Sequence, residues 1–277
     1  MARALPAGPA ADAPIEPADW PENERAPDRP HRLRWWKEVL AAAVFYAVYS
    51  AIRNTQGSAA VSKSLAFHNA RRIIRWEQLL GMYHERAVQH FFLGWGALME
   101  VWNLFYGTFH FVVTIVVLVL LFRQFPARYA RWRNALAATT ALALVGFALY
   151  PLMPPRLLPA SYGFVDTLKA FGSLWSFDSA AMQKVSNQYA AMPSLHFAWS
   201  LWCACALVPA LRPLWCKLLV ALYPVVTLCA IVITGNHFVL DAVAGGLVLG
   251  GGVLYADAAA RVGRRTGNRN LPAVAAL

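Results

Sequence analysis

Charge is scarce in this chain, and acid is scarcer than base. Only 14% of its 277 residues are charged, with 14 Asp and Glu against 25 Lys and Arg. A soluble domain carries about 25% charged residues. Charge this sparse, beside 58% hydrophobic residues, does not suit a surface that faces water on all sides. The apolar residues also cluster in blocks, several near the roughly 20 residues that a helix needs to cross a bilayer. An integral membrane protein is therefore the first inference. Cysteine is scarce too. Cys203, Cys205, Cys216 and Cys229 lie in or beside apolar blocks. Cys203 and Cys205 are two apart and point to different sides of a helix. The four read as small packing residues, not as a disulfide framework or metal ligands.

Other absences narrow the chemistry. No His-Glu-x-x-His occurs, so a zinc-hydrolase reading fails on spacing. Ser194 lacks the Gly-x-Ser-x-Gly elbow of a serine hydrolase. No internal repeat has a fixed period. The net charge of +11 would suggest nucleic acid in a soluble chain. Here the basic residues flank apolar blocks, so anionic membrane lipids and topology account for them, and no nucleic-acid partner is expected.

What is present divides into three parts. Residues 1–34, rich in Ala and Pro, read as a disordered cytoplasmic tail. Residues 35–256 form the membrane domain, and 257–277 a basic cytoplasmic tail. The expected fold class is all-α integral membrane, with six transmembrane helices. The spans are expected near 39–52, 99–122, 134–152, 193–211, 214–233 and 237–255. Trp35 and Trp36 suit a headgroup-level belt. Between the first and second spans, residues 53–98 mix Arg71, Arg72, Arg75, Glu77, Glu85 and Arg86 with apolar residues at helical spacing. They read as an amphipathic helical segment lying on the membrane surface. Six spans put both termini on one side. That side carries about 16 Lys and Arg and the other about 9. The positive-inside rule then places both termini in the cytoplasm of a multi-pass plasma-membrane protein. The glycines between Gly245 and Gly252 read as close helix packing.

Two segments put ionisable side chains at the mouths of apolar spans: Ala191-Met-Pro-Ser-Leu-His196 and Gly235-Asn-His-Phe-Val-Leu-Asp241. Such groups at membrane depth are costly and usually functional. His237 and Asp241 are four apart and share a face if helical. The carboxylate can then fix the imidazole tautomer and leave the other nitrogen free to attack. Ser194 and His196 follow Pro193 into a helix start, where free N–H groups and the helix dipole favour a phosphate. Arg156 is the natural clamp for phosphate oxygens. In a six-span alternation Arg156, His196 and His237 fall on one face, the outer one. A lone His-x-x-x-Asp is also a simple helix pair, and a Pro-Ser-x-His run a capped helix start; their joint occurrence on one face favours chemistry. His68, His84, His90 and His110 have no such company and read as structural.

The pair Met192-Pro-Ser-Leu-His196 and Asn236-His-Phe-Val-Leu-Asp241 resembles the signature of the type 2 phosphatidic acid phosphatase superfamily. Tyr150-Pro-Leu-Met-Pro-Pro-Arg156 resembles the matching segment of its inositolphosphotransferase branch, the inositolphosphoryl-ceramide synthase-like proteins. The resemblance implies a six-helix core and a phosphohistidine intermediate without a metal or other cofactor. It makes His237 the nucleophile, Asp241 its orienting partner and His196 the acid that protonates the leaving alcohol. Ser194 and Arg156 would hold phosphate oxygens. The implied partners are a phosphorylated lipid, with water or a polyol such as inositol as acceptor. One departure matters. The phosphatase pattern has Ser-Arg ahead of its last His, where this chain has Ala230 and Ile231. That removes one phosphate clamp, which Lys169 or Lys184 could replace, and points to the inositolphosphotransferase branch. The alternative reading is a catalytically silent transporter or scaffold that keeps the fold.

Overall fold

The computed structural model describes residues 34–55, 62–172 and 188–269. Residues 1–33 of the expected N-terminal tail, 270–277 of the C-terminal one, and Lys184 lie outside the described residues. The elements are all helical: α1 (Trp35–Thr55), α2 (Lys63–Leu79), α3 (Glu85–Leu93), α4 (Gly96–Gln124), α5 (Pro126–Leu149), the short α6 (Thr167–Ala170), α7 (Leu195–Leu207), α8 (Leu214–Ile233) and α9 (Val239–Arg269). Among the described residues no strand occurs, and one parallel bridge joins Leu152 to Ala190.

Four helices are long and apolar enough to cross a membrane: α4, α5, α8 and the Val239–Val262 part of α9. Prolines set several of their ends. Pro126 stands at the start of α5, and α4 stops just ahead of it at Gln124. Pro151 follows Tyr150, the residue that closes α5. The ring of a proline disfavours helical geometry in the residue before it. The expected boundaries shift accordingly. The third span starts at Pro126, eight residues ahead of the expected 134, and the last helix runs on to Arg269.

The fourth apolar block makes a helix of only 13 residues, α7. At 1.5 Å per residue that is about 20 Å, short of a hydrocarbon core of about 30 Å. It nevertheless sits at the centre, in contact with α4, α5, α8 and α9. Trp202, Ala198 and Ala206 are fully buried, and Trp202 Nε1 donates to the Trp132 carbonyl at 2.9 Å. Around them Val117, Leu121, Trp132, Ala135, Cys203 and Leu249 form the main core. Burial of Cys203 fits its reading as a packing residue.

Glycine lets α9 approach its neighbours. A side chain at Gly245 would come within 2.5 Å of the Ser194 carbonyl, and one at Gly252 would strike Thr139 and the Ala135 carbonyl. Gly250 faces open space. The glycine cluster therefore works at some positions and not at others.

A second core lies at the other end of α7. Ala66, Ala70, Ile73 and Ile74 of α2 pack there with Leu152, Met153, Ala191 and Phe238. The segment between α1 and α4 thus buries one stripe of α2 against the loop that follows α5. Asn69 Nδ2 fastens it to the Pro151 carbonyl at 2.9 Å, and the Met153 N–H donates to the Ala66 carbonyl at 3.2 Å.

Gly245→Ala should lower stability by about 1–3 kcal/mol, the usual cost of overpacking. Gly250→Ala should leave stability unchanged or raise it slightly. Thermal unfolding of the detergent-solubilised variants checks both.

Candidate functional site

The turn between α8 and α9 carries the first chemical residue. Helix α8 ends at Thr234, and Gly235 follows with φ of +66°. The Gly235 N–H donates to the Val232 carbonyl at 2.9 Å and the Asn236 N–H to Ile231 at 3.0 Å. This is a Schellman cap, which glycine favours because a left-handed residue without Cβ costs little. A side chain at Gly235 would also come within 2.6 Å of Gln89 Nε2. The cap delivers His237 ahead of α9, whose first residue is Val239. His237 and Asp241 meet, but across a helix start and not along a helical face.

Their contact is specific. His237 Nδ1 lies 2.9 Å from the Ala191 carbonyl and 3.2 Å from Asp241 Oδ2. The Ala191 carbonyl only accepts, so Nδ1 carries a hydrogen, and in the neutral ring Nε2 is the nitrogen with the lone pair. Asp241 Oδ2 also accepts the Phe238 N–H at 3.0 Å, reaching back over the first turn as the acid of a capping box does. Asp241 is fully buried and His237 nearly so.

The start of α7 meets this turn. Ser194 is the N-cap, its Oγ accepting the Phe197 N–H at 3.4 Å while its own N–H donates to the Asp241 carbonyl at 2.9 Å. Pro193 thus precedes the cap and does not open the helix. Ser194 is fully buried and absent from the cavity wall. His196 lies two residues into α7, its ring centroid 5.5 Å from that of His237.

Both imidazoles line a cavity of about 260 Å³ together with Arg156, Asn236, Tyr106 and His110. Arg156 comes from the loop after α5. Its Nε donates to Asn236 Oδ1 at 2.8 Å and its Nη1 to the Asp166 carboxylate at 3.0 and 3.1 Å. Nη2 makes no hydrogen bond within the described residues. Lys169 is 3.9 Å from Asp166 and half exposed, outside the cavity wall. Ile231 is fully buried in the core with Val232 and Ala242. The loop is fixed from both sides. Asn103 donates to the Thr167 carbonyl at 2.9 Å, and Gln89 pairs with Val165 through a donated and an accepted bond at 3.0 and 2.9 Å.

Sequence reasoning set His110 aside, yet it sits in the wall. Its ring centroid is 4.1 Å from that of His196, and Tyr106 stacks on the same His196 ring at 4.2 Å and 20°. A signal was available: Asn103, Tyr106, His110, Thr114, Val117 and Leu121 follow one another at three- and four-residue steps. That spacing makes one helical face, and polar residues on an inward face are informative. His90 Nε2 donates to the Gly163 carbonyl at 2.6 Å, away from the cavity. Among the described residues no set of three or more His, Cys, Asp or Glu is grouped to hold a metal ion.

Two further carboxylates stand behind His237. Glu85 Oε1 accepts the Val239 N–H at 3.1 Å and Glu77 Oε1 the Leu240 N–H at 2.8 Å. Glu77 and Glu85 are buried. Burial pushes the Glu77 carboxyl up to about 9, and Glu85 adds to the rise through a hydrogen bond and its charge.

A family model described as the PAP2 superfamily matches residues 71–255. No curated protein and no solved structure matches the chain.

The raised Glu77 pKa has a measurable consequence. The folded chain holds a proton at Glu77 that the unfolded chain releases above its ordinary value of 4.5. Stability from this group is full below that value and is lost as pH rises through about 9. The unfolding midpoint of the wild type should therefore fall across that window, and Glu77→Gln should flatten the fall. Unfolding scans at a series of pH values check this.

Proposed function

The chain belongs to the PAP2 superfamily, and from that premise we propose that the cavity performs phosphoryl transfer on a lipid phosphate ester through His237. Membership makes the chain a membrane phosphatase or phosphotransferase of the lipid type. The observation that carries the finer reading is the pair of acceptors on His237 Nδ1. With its proton held there, Nε2 has a lone pair to attack phosphorus. The P–N bond forms as the P–O bond to the leaving alcohol breaks, and His196 gives that oxygen its proton. In the second step an acceptor hydroxyl attacks phosphorus, passes its proton to His196 and releases His237.

Arg156 supports the phosphate assignment, because Asn236 and Asp166 fix its guanidinium before any anion arrives. The first turn of α7 adds N–H groups that have no intrahelical acceptor. Ser194 serves this site by capping that turn. The buried Ile231 stands where phosphatases keep an arginine, which favours the inositolphosphotransferase branch, with inositol or a related polyol as acceptor in place of water. In this reading α1 and α7 join the four long helices to make six spans. The 62–93 segment rests at the interface, the termini are cytoplasmic, and the site opens to the outer leaflet of the plasma membrane.

His237→Ala should abolish turnover of a labelled phospholipid while the protein remains folded. His196→Gln should lower kcat by about 10²–10⁴-fold, the usual worth of a general acid. Unchanged turnover in His237→Ala removes His237 as the nucleophile, and no turnover by the wild type on any lipid phosphate returns the chain to the silent transporter or scaffold reading. Product analysis with and without inositol separates the outcomes: a new phosphoinositol lipid identifies a transferase, and free phosphate or phospho-headgroup alone a hydrolase.

The division of labour also sets the pH profile. His237 must be neutral to attack and His196 protonated to donate. Activity should be bell-shaped between about pH 5 and about pH 9. A flat profile of kcat over that range contradicts the assignment.

A further inference from the structure

The first turn of α9 presents backbone N–H groups that cannot bond within the helix. Three carboxylates take them. Asp241 accepts from Phe238, Glu85 from Val239 and Glu77 from Leu240. Asp241 belongs to the site already described. Glu77 comes from the end of α2 and Glu85 from the start of α3. Each of the two uses one oxygen, Oε1, on its N–H. Their second oxygens, Oε2 of Glu77 and Oε2 of Glu85, are buried and meet no donor group. The two carboxylates sit on the N–H groups of consecutive residues, so they stand side by side at one helix start. Two ionised carboxylates have no hydrogen to place between them. Two adjacent buried charges of one sign would also repel strongly, with Asp241 adding a third.

We infer that Glu77 and Glu85 share a single proton between their Oε2 atoms, and that this acid–carboxylate pair is the device that positions His237 and Asp241. One carboxyl donates to the other, so both orphan oxygens are satisfied by one hydrogen. The pair keeps one negative charge, which suits the positive end of α9. It clamps Val239 and Leu240, the residues between His237 and Asp241. It therefore sets the register in which the Asp241 carboxylate meets His237 Nδ1. Neither glutamate lines the cavity, so both act through the turn and not on substrate. For its activity readout the inference rests on the phosphoryl-transfer reading above.

The pair makes an asymmetric demand on amide substitutions. In Glu77→Gln the amide oxygen accepts from Leu240 and the amide NH₂ donates to Glu85. Glu85→Gln is the mirror case. Each single variant reproduces the protonated pair. In Glu77→Gln/Glu85→Gln two NH₂ groups face each other. Flipping either one turns an NH₂ towards a backbone N–H instead. The double variant always loses a hydrogen bond, whichever way its amides turn.

The test uses the full-length protein in lipid nanodiscs. Each single Gln variant should keep kcat and KM within about threefold of wild type. The double Gln variant and Glu77→Ala should lose about a hundredfold in kcat with KM little changed, as misplacing a reacting group by about 1 Å does. Infrared spectroscopy reads the proton without turnover. The wild type should show the carbonyl stretch of a buried protonated carboxyl, and each single Gln variant should lack it. Wild-type activity in the double variant overturns the inference, as does a single Gln variant as damaged as Glu77→Ala. Absence of the protonated-carboxyl band in the wild type overturns it as well. A folded wild type that turns over no lipid phosphate but shows the band sinks the phosphoryl-transfer reading and leaves the shared proton standing. Glu77→Asp, which keeps the acid but shortens its reach, covers the case in which Glu77→Ala does not fold. It should keep the band and lose kcat, and full kcat in that variant also counts against the inference.

Discussion

A helix that starts inside apolar protein must find acceptors for the N–H groups of its first turn, and the start of α9 is where this chain meets that demand. Water is excluded there, and an unbonded N–H would cost several kcal/mol in a hydrocarbon-like setting. The chain answers with three side chains from three separate places, Glu77, Glu85 and Asp241. Much else follows from that solution. Helices α2 and α3 must fold over the start of α9 to bring the glutamates in. Residue Phe238 is buried beneath them. His237, one position ahead, is then fixed between the Schellman cap of α8 and the capping turn of α9. The placement of His237 against Asp241 is a by-product of capping two helices in succession.

Much of this was legible in the sequence. The apolar blocks gave the long helices, because a run of Val, Leu and Phe has no other use for its length. The Asn236-His-Phe-Val-Leu-Asp241 and Pro193-Ser-Leu-His196 segments gave the two halves of the site, and the structure brings His196, His237, Asp241 and Arg156 to one place. Ser194 stands directly beneath, turned to capping and not to the cavity.

What was not legible concerns residues whose meaning depends on a partner far along the chain. Glu77 read as one of several charges on a surface segment. It lies, however, on the stripe Ala66, Ala70, Ile73, Glu77, which is the buried face of α2. A carboxylate on an apolar stripe signals a buried acceptor, but its donor, Leu240, is 163 residues away. The same holds for His110, whose importance comes from standing against His196 on a different helix. Helix ends were also misjudged by a few residues. Pro193 looked like a first helical residue because proline favours that position, and the serine after it took the capping place instead. That shift put His196 at the second helical position.

The Arg156–Asp166 ion pair bears on how the cavity attracts anything at all. A lone guanidinium in a low-dielectric wall would project a field well past the cavity mouth, over the roughly 8 Å that physiological salt permits. With Asp166 at 3.0 Å, most of that field closes on itself as a short dipole. An anion outside the mouth feels little pull. One that has entered finds an arginine edge already aimed and held in place. If the proposed lipid phosphate is the ligand, selection at this cavity is made by contact and fit, after arrival, while arrival itself is left to diffusion in the plane of the membrane.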